Sequence, residues 1–306
     1  MPPQETIQVS TPAPTHITPL TIGKWKASKM IARESWAVLK QDKEIMLFPI
    51  ISAIASILVF IVMATVFFFV VLGGSMEQLK EVDPEQGQGV ASYVILFAYY
   101  LAAFFVASFF QAGMYIIVHA RFTGRDLNFS DGINGAMQNI NKIFLWSLIS
   151  ATVGIVLQFI ANRSKVVGKI VSALLGAAWD ILTYFSLPSL VIGQTSIKDS
   201  FRDSAAMIRK TWGETIIINL GVGLLFGILM VLGIFVGLTF VIIVQGLFMT
   251  VVAIALVIIY LLSLTIISSS LNAIFKLALY EYARTGIVPQ GFSPELIQNA
   301  VKSGIR

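Results

Sequence analysis

Asp180 is an acid placed where acid is expensive. It lies in the string LLGAAWDILTYF, near the middle of an apolar segment running from Val166 to Ile192. An ionisable group at bilayer depth costs ~3 kcal/mol or more unless it is sheltered. Gly168, Ser172 and Gly176 precede it at four-residue spacing. The four residues therefore share one helical face, and small residues at that spacing let a second helix approach closely. The pattern predicts Asp180 turned into a bundle of helices, with Gln158 and Gln111 on neighbouring segments as candidate polar neighbours. Two chemistries fit: an ion, proton or substrate site, or a carboxyl hydrogen-bonded to an adjacent helix. No basic residue is expected at matching depth, so a buried ion pair is not the default. Pro188 follows in SLPSL and is expected to kink the segment, because it removes a backbone donor.

Little else in the chain could do chemistry. There is no cysteine, which removes thiolate catalysis, disulfides and Cys-based metal ligation. The two histidines are His16, in the N-terminal tail, and His119, near a segment end, so a His-rich metal site is not expected. No Ser/His/Asp arrangement, HExxH, phosphate loop or intramembrane carboxylate pair is found. The expectation is a protein with no cofactor, no metal and no enzymatic activity. The string GVGLLFG from Gly221 lies inside an apolar run, not between a strand and a helix, so it is no nucleotide loop. Gly223 with Gly227, and Gly233 with Gly237, read as helix-packing faces. Asp126, Asp131, Asp199 and Asp203 sit among Lys and Arg, where capping and surface pairing account for them.

The elements that carry these residues follow from hydropathy. The chain has 306 residues, 57% hydrophobic and 12% charged, about half the charge of a typical soluble domain (~25%). Mean hydropathy is +0.84. Residues 215–275 hold no Asp, Glu, Lys, Arg or His. Six apolar segments stand out: Ile45–Leu72, Val90–Val118, Ile143–Ala161, Val166–Ile192, Thr215–Ile243 and Phe248 to about Ser270. Each meets the ~18-residue threshold for a spanning helix. Runs this long and non-alternating are helical, since every backbone group in lipid must be satisfied internally. The expected fold is all-α: a polytopic membrane bundle of six helices forming a single domain over residues 23–306, after a disordered tail at 1–22 rich in Pro and Thr.

Basic residues orient the bundle. Of the 21 Lys and Arg, all but Lys80, Arg163, Lys165 and Lys169 fall on the side of the N-terminus. Basic residues mark cytoplasmic loops, so both termini are expected in the cytoplasm. The basic loop at 163–169 runs against this bias, and the acidic loop with Glu77, Glu81, Asp83 and Glu85 agrees with it. The net charge of +5 is read as membrane topology, not nucleic-acid binding.

Amphipathic helices are expected at the cytoplasmic interface. Asn128–Asp131 reads as a helix cap, followed by Ile133, Ala136, Met137 and Ile140. Ser196–Asp199 repeats the cap, followed by Phe201, Ala205, Ile208 and Trp212, and a shift of 68 residues superposes the two. A looser version, with Trp25, Ala32, Trp36 and Leu39, precedes the first segment, and Ser293-Pro294-Glu295 opens another after the last. Three repeats of interfacial helix plus hairpin account for this, and so does the general need of any interfacial helix for an apolar face and basic residues. Lys198, Arg202, Arg209 and Lys210 are the candidate contacts to anionic lipid head groups. Lys276 is expected to snorkel at the interface, with Tyr280, Glu281 and Arg284 carrying the last helix into water. The second segment is dense in aromatics, which fit a hydrophobic ligand groove or simple packing and lipid contact.

Three strings carry a resemblance: SWAVLKQDKEIMLFPIIS, SLPSLVIGQTSIKDSFRDSAAMIRKTWGE and ALYEYARTGIVPQGFSPELIQNA. Together, over roughly residues 24–300, they resemble an uncharacterised family of prokaryotic, often archaeal, six-span membrane proteins. The resemblance implies one membrane domain and a plasma-membrane location, and it supplies no activity. The hairpin plan is also loosely similar to the membrane domain of some glycerophosphodiesterases, whose catalytic domain has no counterpart here. The expected function is non-enzymatic: a protein that organises, senses or partners within the bilayer. The alternative is a transporter or channel using Asp180. Expected partners are the lipid bilayer and anionic head groups, with a protein partner or a second copy left open, and no nucleic acid.

Overall fold

A computed structural model describes residues 24–74, 90–164, 166–211, 221–243 and 246–297. The expected tail, the acidic loop, Lys165, Trp212 and the start of the fifth segment lie outside them, as do the side chains of Trp25 and Lys210. The protein is all-helical, with no strand among the described residues. In chain order the helices are α1 (Lys24–Gln41), α2 (Leu47–Val70), α3 (Val90–Phe122), α4 (Phe129–Gln138), α5 (Ile140–Asn162), α6 (Val167–Leu182), α7 (Ser186–Val191), α8 (Ile197–Thr211), α9 (Gly221–Ile243) and α10 (Leu247–Thr285). A 3₁₀ turn, Lys43–Met46, leads into α2.

Five stretches are long and apolar enough to cross a membrane: Lys43–Val70, Val90–Phe122, Ile140–Asn162, Val167–Val191 and Phe248–Thr285. The expected fifth segment is described only in part. Its apolar stretch Phe226–Val241 falls among the shorter helices.

Helix α3 is central, packing against α2, α4, α5, α7 and α10, while α1 joins α9 and α10. Buried residues concentrate at one end, where α3 finishes: Phe48, Tyr115, Ile117, Phe185, Leu190, Ile274 and Leu277 are among those fully enclosed. At the other end the apolar side chains of α2, α9 and α10 stand exposed, among them Phe69, Phe235 and Ile259. The hairpin α9–α10 is joined by its glycines. A Cβ at Gly233 would lie 2.1 Å from Tyr260 Cε1, and one at Gly237 would lie 2.2 Å from Val257 Cγ2. The Tyr260 hydroxyl donates to the Leu229 carbonyl at 3.0 Å. Those two glycines are packing residues, as their spacing suggests.

The caps read from sequence form. Asn128 accepts from the Asp131 N–H at 3.0 Å and Asp131 accepts from the Asn128 N–H at 2.9 Å, a reciprocal capping box. Ser196 accepts from the Asp199 N–H at 3.2 Å. The faces that α4 and α8 bury are shifted from the expected stripes. Helix α4 buries Gly132 and Ala136 and leaves Met137 52% exposed. Gly132 lets the backbones meet: a Cβ there would lie 2.9 Å from the Gly113 carbonyl oxygen of α3. Helix α8 buries Ser200, Ser204 and Ile208. The reason lies in the break before α7. Pro188 is the third residue of α7, not a kink inside a long helix. Its ring would clash with the carbonyl of Tyr184, four residues back, so the helix ends at Leu182 and restarts. The break leaves the Phe185 N–H buried, and the Ser204 hydroxyl accepts it at 3.0 Å.

Two substitutions test this packing. Gly132→Ala gains helix propensity of ~1 kcal/mol but meets backbone, so overpacking of ~1–3 kcal/mol prevails. The midpoint of thermal unfolding in detergent is expected to fall, and a rise would contradict the close contact. Ser204→Ala, which orphans the Phe185 N–H, is expected to cost ~1–3 kcal/mol in the same assay.

Candidate functional site

Charge gathers at the packed end, where α3 and α10 finish. On α3, His119 Nδ1 lies 2.8 Å from Glu281 Oε1 of α10, and Arg284 donates to Glu281 Oε2 at 3.0 Å. One turn on, Arg121 reaches Asp42 at 3.1 Å and Asp126 at 2.6 Å. Asp42 also accepts the Glu44 N–H at 3.1 Å, capping the 3₁₀ turn that starts the first span. Glu44 in turn accepts the Phe129 N–H that opens α4. Glu34 of α1 accepts from both the backbone and the hydroxyl of Ser293, at 3.0 and 2.8 Å. Of these carboxylates, Glu34, Asp42, Glu44 and Glu281 each tie one segment to another. Glu281 is buried, so its helix does not run into water as expected from sequence.

The sequence-derived site is not assembled. Asp180 lies in the last turn of α6, two residues before the break, not near the middle of a continuous span. It is exposed on the outside of the bundle. Its helix packs on α5 through Gly168, where a Cβ would lie 2.4 Å from the Ile160 carbonyl, and Gly176, 3.5 Å from Leu157. One turn of drift carries Asp180 off that contact, because helical residues four apart rotate gradually around the axis. A basic residue does share its level: Asp180 interacts electrostatically with Lys276 of α10, whose ammonium lies 4.3 Å from the centre of the Tyr184 ring. Trp179, beside Asp180, stacks on Trp146 at 6.3 Å, and Phe201 of α8 packs on both rings at 5.4 and 5.7 Å. Gln111 is half-buried on α3. Gln158 lies toward the opposite end of α5 from Trp146, so it is no neighbour of Asp180. Of the candidate lipid contacts, Lys198, Arg202 and Arg209 are exposed.

Residues that sequence reasoning passed over do more. Lys142 donates to Gln194 at 2.9 Å and the Leu190 carbonyl at 3.4 Å, holding the α7–α8 link. Ser189 contacts Thr195 at 3.0 Å and Asp203 at 3.4 Å. Glu34 and Asp42 had no signal beyond their charge, since their partners are distant in sequence.

Three hollows are open to a ligand. The first, about 470 Å³, lies between α2, α3 and α5 and is lined by Phe60, Met63, Ala64, Phe67, Ser92, Tyr93, Ile95, Leu96, Tyr99, Ile155, Gln158, Phe159 and Asn162. The second, about 390 Å³, lies along the α9–α10 hairpin and is almost wholly apolar. The third, about 370 Å³, is polar and bordered by Gln41, Arg121, Arg125, Asp126 and Gln290. Asp180 lines none of them.

Burial separates the two arms of the Arg121 pair. The Asp42 side chain is 6% exposed and that of Asp126 is 83% exposed. Asp42→Ala is expected to cost ~1.5–3 kcal/mol by removing the buried, charged partner of Arg121 and the cap on the Glu44 N–H, and Asp126→Ala ~0–1 kcal/mol. Chemical unfolding in detergent measures both, and equal losses would refute the distinction.

No curated protein and no solved structure matches the chain. A family model, described as a family of unknown function (DUF6159), matches residues 90–291, a narrower range than the 24–300 expected from the three strings. The match takes in α3 to α8, the described α9 and the whole of α10, and with them His119, Arg121, Asp180 and Glu281. On that match, over more than half of its 306 residues, the chain belongs to the family of unknown function DUF6159.

Proposed function

We propose that this is a six-span, non-enzymatic protein of the plasma membrane that organises its lipid surroundings or a partner, and neither transforms nor translocates a substrate. Both termini and the packed charged end face the cytoplasm. The observation that carries this reading is how the polar groups are used. The buried carboxylate Asp42 is engaged by Arg121 and Glu281 by His119, each from another segment, and Glu281 also by Arg284 of its own helix; among the described residues no nucleophile and base converge on a cavity. Asp180 is exposed in the last turn of α6 and lines none of the three hollows. A transport site needs a water-accessible path to its carboxylate, and Asp180 near Lys276 has the setting of an interfacial pair.

The orientation is supported by the distribution of Lys and Arg. It is also supported by Met137, exposed beside the Gly132–Ala136 face of α4. A helix with one face on protein, one apolar and one polar suits the boundary between head groups and acyl chains. Helix α8 is held by Phe201 between Trp146 and Trp179, which presents Lys198, Arg202 and Arg209 as a fixed basic face. Each basic residue near an anionic surface contributes ~1 kcal/mol.

Two measurements test the reading. In proteoliposomes under an imposed gradient, the native protein is expected to give no proton or cation flux above protein-free vesicles, and Asp180→Asn to change nothing. Flux that Asp180→Asn abolishes would install the transporter in its place. For the lipid contacts, the whole chain with Lys198, Arg202 and Arg209 changed to Gln is expected to immobilise less spin-labelled anionic lipid than the native chain, with zwitterionic lipid unaffected. An unchanged preference would remove the basic face from the proposal.

A further inference from the structure

The hollow between α2, α3 and α5 differs from ordinary lipid-facing surface in one respect: it gathers polar groups. Ser92, Tyr93, Tyr99, Gln158 and Asn162 all line it. Among the described residues, none of the five has a side-chain hydrogen bond within the protein, and Ser92 is only 7% exposed. These residues belong to spanning helices, where an unpaired amide or hydroxyl costs several kcal/mol. Tyr99 and Gln158 lie within their helices and find a partner only in what enters the opening, while Ser92, Tyr93 and Asn162 stand toward its mouth.

The walls say what kind of partner. Tyr93 stacks on Phe159 at 5.2 Å and Tyr99 meets Phe60 edge-on at 6.3 Å. The rings thus brace α3 against α5 and α2. From Ser92 to Tyr99 the opening runs ~10 Å along α3. Ser92, Tyr93 and Asn162 stand toward the ends of their helices, and Phe60, Leu96 and Ile155 lie deeper. Apart from Tyr99, which stands level with Phe60, polar groups lie toward the mouth and apolar groups deeper, which matches an amphiphile with its head outward and chain inward. Among the described residues, no Asp, Glu, Lys, Arg or His lines the hollow, so these walls offer a charged head no counter-charge. The volume, about 470 Å³, lies within the ~300–1,000 Å³ of small-molecule sites.

We propose that the hollow between α2, α3 and α5 is a binding site for a single-chain amphiphile with an uncharged, hydrogen-bonding head, held by Gln158, Asn162 and the Tyr93 hydroxyl. The site lies in the leaflet opposite the charged junction. It rests on α2, α3 and α5 spanning the bilayer. It does not depend on the absence of transport, so flux and binding can fail separately.

The test is photolabelling of the full chain in proteoliposomes. The probe is a diazirine-bearing monoacylglycerol, and the comparison is a diazirine fatty acid with a charged carboxylate. The neutral probe is expected to label residues 92–99 and 155–162 saturably, with excess unlabelled monoacylglycerol suppressing the label. Gln158→Leu, an exposed change that leaves packing alone, is expected to weaken competition about two- to tenfold, the worth of one net hydrogen bond. Ala64→Trp is expected to abolish labelling by filling the hollow. The apolar α9–α10 surface serves as the internal reference for passive lipid contact. Labelling of the hollow no stronger than of residues 232–240, or insensitive to competitor, would overturn the site. Equal labelling by the charged probe would overturn the assignment of its head group.

Discussion

Two helices are too long for the membrane they cross. Helix α3 has 33 residues and α10 has 39, ~50 and ~58 Å at 1.5 Å per residue, against a hydrocarbon core of ~30 Å. Their overhanging turns must be covered, and both overhang at the same end. His119 and Arg121 on one, Glu281 and Arg284 on the other, meet there. Helices α1, α4, α7 and α8 fill the space around them. The packed end of the protein is thus a soluble-like core built on membrane helices, with fully buried Phe48, Phe185 and Leu277.

Away from that end the physics changes. Lipid tails are as apolar as leucine, so helices in them gain nothing from hiding apolar side chains. They associate only where shape or hydrogen bonding favours it. Gly233 and Gly237 admit Tyr260 and Val257, and Gly168 admits the α5 carbonyls. Where α2, α3 and α5 separate, a hollow opens between them, and a second lies along the α9–α10 contact itself. A hollow with unpaired polar groups is costly in such a medium, whereas a bare apolar one is not. That difference sets the α2–α3–α5 hollow apart from the α9–α10 surface.

The break between α6 and α7 shows how backbone accounting shapes the packed end. Proline forbids one continuous helix, and the freed Phe185 N–H is inside. A serine from α8 answers it, which draws the serine face of α8 inward and seats Phe201 between two tryptophans. The basic side chains of the same helix are left facing out. A local backbone requirement therefore decides which face α8 shows to its surroundings.

Much of the fold was legible in the chain alone. Long apolar runs demand helices because lipid offers the backbone no partners, and the Asn128 and Ser196 caps act within three residues of themselves. Gly233 and Gly237 were readable as packing faces from spacing. The site was not legible. The depth of Asp180 depended on where α6 ends, and its neighbour Lys276 comes from a helix nearly a hundred residues later. Asp42 meets Arg121, Glu34 meets Ser293 and His119 meets Glu281 across similar separations. Gln158 was visible as a polar residue in an apolar run, but only the placement of α2 and α3 beside α5 put it among unpaired hydroxyls. Sequence by itself determined which segments are helical and where they cap, because those terms are local. Which charges pair, which face of α8 is buried and which hollow is polar were decided by tertiary structure, because they depend on contacts between segments that no local pattern encodes.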